Sequence, residues 1–125
     1  MNASMLPRAA QPQSPFDLVL LSRQTAGDDA LERELLAMFG TQAAEILTRL
    51  DAARQLAAPQ LQADLAHRLR GSALAVCALD VADHAGLLES ALLKGCGAAQ
   101  ASKHFEALSA AVARAESSLA NLLAA

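Results

Sequence analysis

The chain has no Trp and no Tyr, and only three Phe among its 125 residues. A core so poor in aromatic bulk must be built from Leu, Ala and Val, and because Ala and Leu lead the helix-propensity scale, that mixture favours close-packed helices over sheets. Cysteine is scarce as well. Cys77 and Cys96 form no C-x-x-C pair and no disulfide framework, so a reduced, cytoplasmic setting is expected, with Cys77 as a small buried hydrophobe. Three histidines and two cysteines without ligand spacing exclude a zinc site. Basic charge is not in excess: the formal net charge is −3, which argues against nucleic acid as a partner. No apolar run reaches the roughly 20 residues needed to span a bilayer, and the apolar stretch broken by Asp17 is a poor signal peptide. Neither a glycine-rich phosphate loop nor a nucleophile elbow occurs, so the chain lacks the parts to bind ATP or to act as an autonomous kinase. A protein partner is the class left standing.

What is present is hydrophobic, at 54%, and periodic. The length fits one domain. Residues 1–14 mix Pro, Gln, Ala and Ser without a period and read as a flexible tail, leaving 15–125 as the domain. Ser14-Pro15-Phe16-Asp17 reads as a helix start with Ser14 as the N-cap, and the short helix ends near Arg23. Asp28 caps a long second helix with Leu31, Leu35, Met38 or Phe39, Ile46 and Leu50 at helical spacing, and Gly40 is the place where it would kink. Pro59 ends that helix and opens a third. Asp80 is placed to cap a fourth, carrying Val81, Ala85, Leu88 and Leu92 inward until Lys94-Gly95 stops it. A fifth runs from about Ala99 to Leu122 with Phe105, Leu108, Val112, Leu119 and Leu122 on one stripe. Short connections between long helices predict an all-α, antiparallel up-down-up-down four-helix bundle with a short additional N-terminal helix.

The third helix holds the unusual residues. At about 100° per residue, Arg70, Gly71 and Leu74 fall within roughly 60° of His67, while Leu61, Leu65, Leu69, Ser72 and Val76 fall on the other side. His67 therefore faces solvent. Gly71 costs its helix about 1 kcal/mol relative to Ala and stands one turn from His67, where a larger side chain would obstruct the ring. Arg70 adds a cation suited to holding an anionic oxygen. Leu74, with Ala63 and Ala78 on the same face and Asp64 and Arg68 on its flank, forms a small patch for docking a partner. His84 and His104 have no such company and read as surface or rim residues.

The run His67-Arg68-Leu69-Arg70-Gly71-Ser72-Ala73, followed by Cys77-Ala78, Val81-Ala82, Ala85 and Leu88-Glu89, resembles the histidine-containing phosphotransfer (HPt) domain, whose pattern is roughly H-x-L-K-G-S/A-A and then G-A-x-x-L-A-x-x-A-x-x-L-E. The likeness extends upstream through Phe16 to Phe39. Three departures stand out: Arg70 for the commoner Lys, which keeps the charge, and Cys77 for Gly and Val81 for Leu, which read as packing changes. The resemblance implies that His67 accepts a phosphoryl group through Nε2 from a response-regulator receiver aspartate and passes it to another receiver. It implies Arg70 for phosphoryl charge stabilisation, Gly71 for steric access, and a role still open for Glu89. The protein would be a cytoplasmic, monomeric phosphocarrier with no cofactor of its own, the Mg²⁺ belonging to the receiver, with a hybrid histidine kinase among its partners and neither membrane nor nucleic acid. The alternatives are an interaction-only bundle that binds a receiver or kinase without taking phosphate, and a scaffold that dimerises through the Leu74 face.

Overall fold

Left-handed backbone at four turns cuts the chain into helices. The computed structural model describes residues 14–124, and among them are α1 (Leu18–Gln24), α2 (Asp29–Gln55), α3 (Pro59–Ala75), α4 (Leu79–Leu93) and α5 (Ala98–Ala124), with no strand. After α2, Ala57 takes φ +51° and donates to the Arg54 carbonyl at 3.1 Å, while Ala58 donates to Ala53 at 3.0 Å. Cys77 repeats this after α3 (φ +57°), with Ala78 donating to Ala73 at 2.8 Å. After α4, Gly95 takes φ +79° and Cys96 donates to Ala91 at 3.0 Å. Such paired bonds occupy carbonyls that a helix end leaves without partners. Cys77, expected to differ from the family's Gly only in packing, occupies a backbone position that favours Gly; an L-residue there carries about 1 kcal/mol of strain.

The helix starts are satisfied less uniformly. Asp28 caps α2 as expected, its Oδ1 accepting from Leu31 N at 3.0 Å, and Pro59 is the first residue of α3. Ser14 is not the cap of α1. That position belongs to Asp17, whose Oδ1 accepts from Leu20 N at 3.0 Å, and Pro15 lies ahead of the helix. Asp80 does not cap α4 either. The cap is Ala78, without a side-chain bond, and the Asp80 carboxylate turns to Arg114 of α5, accepting from Nη2 at 2.8 Å and Nε at 3.1 Å. The expected tail falls on residues outside the described ones, except Ser14.

Helices α2 and α3, α3 and α4, α4 and α5, and α5 and α2 pack in a closed ring, with no close backbone approach across either diagonal among the described residues. The core between them is Leu and Ala: Leu50, Leu69, Leu88 and Leu108 are fully buried, and Ala43, Ala66, Ala85 and Ala111 let backbones approach. Helix α1 closes one end by setting Phe16 edge-on against Phe39, ring centroids 5.9 Å apart. Two residues expected inside are outside: Leu31 and Leu61 are exposed, while Leu36 is buried, and of the Met38–Phe39 pair it is Phe39 that lies inside. Gly40 does not interrupt α2. A Cβ there would come within 3.0 Å of Leu119 Cδ1, so this glycine lets α5 lie close against α2. Near one end of that seam Arg54 lies 4.8 Å over the Phe105 ring, and near the other Arg33 donates to the Leu122 and Leu123 carbonyls at 3.1 and 2.6 Å.

Candidate functional site

His67 stands in the middle of α3 between the buried residues Ala66 and Leu69, with its own side chain 68% exposed. Its Nδ1 lies 2.9 Å from Oε2 of Glu89, a residue of α4 whose side chain is only 19% exposed. A carboxylate can only accept, so this bond requires the ring proton on Nδ1 and leaves a free lone pair on Nε2 of the neutral imidazole. The α4 helix thus orients the ring and chooses its tautomer. Glu89 lies 22 residues from His67, beyond any local spacing rule, so the sequence assigned it only a position matching the family's L-E pair.

Gly71 is exposed, and nothing among the described residues lies within 4 Å of where its Cβ would be. Unlike Gly40, it answers to no contact among the described residues. Arg70 also departs from the picture of a cation standing beside the ring: its Cδ and Nε lie 3.5 Å from the Cβ position of Gly86, so the side chain reclines across α4. It shares a groove there with Asp83, Glu89, Ser90 and Lys94, and no carboxylate among the described residues pairs with it.

The expected docking patch is reduced by two corrections. Ala63 is 2% exposed and Ala78 is 0% exposed, so neither offers surface to a partner. The wheel centred the solvent face on His67, but α4 covers the Ala63 flank and turns the exposed sector toward Arg68, so that Asp64, Arg68, Gly71 and Leu74 are outside and Ala63 and Ala66 inside. Ala78 fails for a different reason: it lies beyond the end of α3, as the cap of α4, where a wheel drawn for α3 no longer applies. Leu74 remains, at 46% exposure. Asp64 accepts from Gln60 Nε2 at 2.9 Å.

The other histidines are held differently. His84 Nε2 lies 3.5 Å from the Asp80 carboxylate that Arg114 already engages, and His104 Nε2 lies 3.3 Å from Gln100 Nε2. Among the described residues no group of three or more His, Cys, Asp or Glu gathers to hold a metal, and no helix is long and apolar enough to cross a membrane.

An exposed imidazole oriented by a carboxylate, on a bundle of helices, defines a class of protein that presents a histidine to others. The comparison with known families agrees with that class: the Hpt domain family model matches residues 34–118, more than half of the chain, and the protein belongs to that family. The matched span begins within α2 and holds His67, Arg70, Gly71 and Glu89. Searches of curated proteins and of solved structures returned no significant match. Hpt domains serve histidine phosphotransfer in phosphorelays and interact with response-regulator receivers, as carriers rather than enzymes.

Proposed function

We propose that this protein takes a phosphoryl group on His67 Nε2 from the aspartyl phosphate of a response-regulator receiver and hands it to another receiver. The observation that carries the reading is the bond from the exposed His67 ring to the half-buried Glu89 carboxylate. In the transfer, the Nε2 lone pair attacks phosphorus, the P–O bond to the aspartyl group breaks, and its electron pair leaves on the receiver's carboxylate. The Nδ1 proton stays in place, so the ring becomes cationic as the N–P bond forms. Glu89 opposes that charge from a fixed position, the kind of preorganised stabilisation that acts without reorganising during the reaction. Arg70 holds the phosphoryl oxygens, and Gly71 keeps the approach to Nε2 clear of side chains. The receiver brings the Mg²⁺ and most of the remaining charge stabilisation.

In this reading the scaffold is an antiparallel up-down-up-down bundle. Support comes from end-to-end pairings: Arg33 near the start of α2 meets the end of α5, Arg54 near the end of α2 meets Phe105 near the start of α5, and Arg70 and His67 of α3 meet Gly86 and Glu89 of α4 in reverse order. The protein works as a cytoplasmic monomer, docks receivers over Asp64, Arg68, Gly71 and Leu74, and receives its phosphate in a relay headed by a hybrid histidine kinase.

The test is incubation with a receiver phosphorylated on its aspartate. Acid-labile, base-stable label should appear on this chain and be absent from the His67→Gln variant. Binding of receivers with no label would leave the interaction-only bundle as the function, and label on His67→Gln would place the chemistry on another residue.

A further inference from the structure

Resting on the phosphotransfer reading, we infer that Gly86 is a positioning residue: the space left by its missing side chain is the berth in which the Arg70 stem lies, and this berth keeps the cation on the α4 flank of His67, clear of the face on which a receiver docks. Gly86 sits in the interior of α4, half-buried, where a glycine weakens a helix unless something requires it. What lies over it is Arg70, with Cδ and Nε both 3.5 Å from the Cβ position. The Arg70–Gly86 pair is one turn from the His67–Glu89 pair on both helices, so cation and nucleophile are supported by the same stretch of α4.

The two flanks of His67 are thereby given different tasks. On the wheel, Arg70 lies about 60° to one side of the ring and Gly71 about 40° to the other. On the Gly71 side no described residue obstructs an approaching protein, while on the Arg70 side α4 supplies a floor. Among the described residues the guanidinium has no carboxylate partner to give up, so it can fork onto phosphoryl oxygens without first breaking an ion pair. A branched or long side chain at position 86 would occupy the berth and lift Arg70 toward the docking face. A single Cβ at 3.5 Å is ordinary contact and would not.

The experiment is a double-mutant cycle on the full chain, reading the transfer rate at saturating phosphorylated receiver and the receiver concentration giving half that rate. Gly86→Ala should transfer within about twofold of the parent. Gly86→Leu should slow saturated transfer by ~10-fold, to the same extent expected of Arg70→Ala, with the half-saturating concentration nearly unchanged, and should have no further effect in the Arg70→Ala background. Equal slowing by Gly86→Leu in both backgrounds, or no slowing in either, would overturn the inference. Gly86→Gln repeats the cycle should the leucine variant fold poorly. A readout free of transfer separates this inference from the reading beneath it: the Arg70 Nε–H resonance should report an ordered side chain in the parent and a mobile one in Gly86→Leu or Gly86→Gln, and an Arg70 already mobile in the parent would overturn the berth whether or not His67 takes phosphate.

Discussion

The α2–α5 seam and the α3–α4 seam use the same residue for opposite purposes. Along the first, Gly40 removes a side chain so that Leu119 can come close, and Arg54 and Arg33 tie the two helices together toward its ends. At the outer rim of the second, Gly86 leaves a berth for the Arg70 stem and Gly71 beside it leaves open solvent, while the side-chain bond from α4 to α3 goes to a histidine that remains mostly exposed. Both seams are closely packed inside, but the glycine of the first is filled by its neighbour, while the glycines at the rim of the second leave space that, in the proposed function, a receiver and the Arg70 cation use. A glycine in mid-helix therefore has no meaning until the space where its Cβ would stand is known.

The largest effect should come from the residue on which the second seam converges. His67→Gln should abolish phosphate acceptance while changing stability by about 0.5 kcal/mol or less, because the position is exposed and away from caps and core. Denaturant melts alongside labelling with a phosphorylated receiver check both halves. Next comes one substitution placed on each seam. Gly71→Gln should fold at least as well as the parent, gaining up to about 1 kcal/mol from helix propensity. It should slow transfer on the order of 100-fold, since a displacement of about 1 Å in the docked state has that cost. Gly40→Gln should do the reverse, losing about 1–3 kcal/mol to overpacking against Leu119 while its folded fraction transfers normally. If both variants lost stability and neither lost transfer specifically, the two seams would not differ in kind.

Glu89→Gln sharpens the comparison from the α4 side. The amide oxygen can still accept from Nδ1, so the ring keeps its orientation, but the charge opposing the cationic ring is gone. Transfer should slow by ~10-fold, with Glu89→Ala slower still. Rapid-quench kinetics measure the difference, and parent-like rates in both variants would reduce the His67–Glu89 bond to a structural contact.

The smallest effect concerns the turn joining α3 to α4. Cys77→Gly and Cys77→Ala both remove the buried thiol, but only Gly relieves the left-handed backbone, so the Gly variant should be the more stable of the two by about 1 kcal/mol. Burial, reinforced by the Asp17 carboxylate, pushes the Cys77 thiol above its ordinary range. A raised pKa means that the stabilisation is complete below the unfolded thiol's pKa and is lost as pH rises through the folded value. The parent should therefore lose more stability than Cys77→Ala between neutral and strongly alkaline pH.

Much of this was legible along the chain because it is written in local pattern. Asp28, Pro59 and the Lys94-Gly95 stop mark helix ends through their own chemistry, and His67, Arg70 and Gly71 stand within one turn of each other. What the chain did not reveal depends on a neighbouring helix. Asp80 has the chemistry of a cap, but Arg114 of α5 recruits it. Ala63 lies on the His67 side of the wheel, yet α4 buries it. Glu89 and Gly86 acquire their meaning only when α4 is laid against α3, and Ser14 yielded its expected role to Asp17, three residues on. Periodicity locates a face on its own helix, and only packing decides how far the neighbours cover it.

The atom of His67 that carries the phosphorus is the most direct test of phosphotransfer. With Glu89 holding Nδ1–H, the ring can be phosphorylated only at Nε2. NMR of the phosphorylated protein distinguishes the two nitrogens, because phosphorus on Nε2 couples through three bonds to both carbon-bound ring protons and phosphorus on Nδ1 to only one. A single phosphohistidine at His67, with coupling to both ring protons, is the predicted result. Phosphorus on Nδ1, or on His84 or His104, would contradict it.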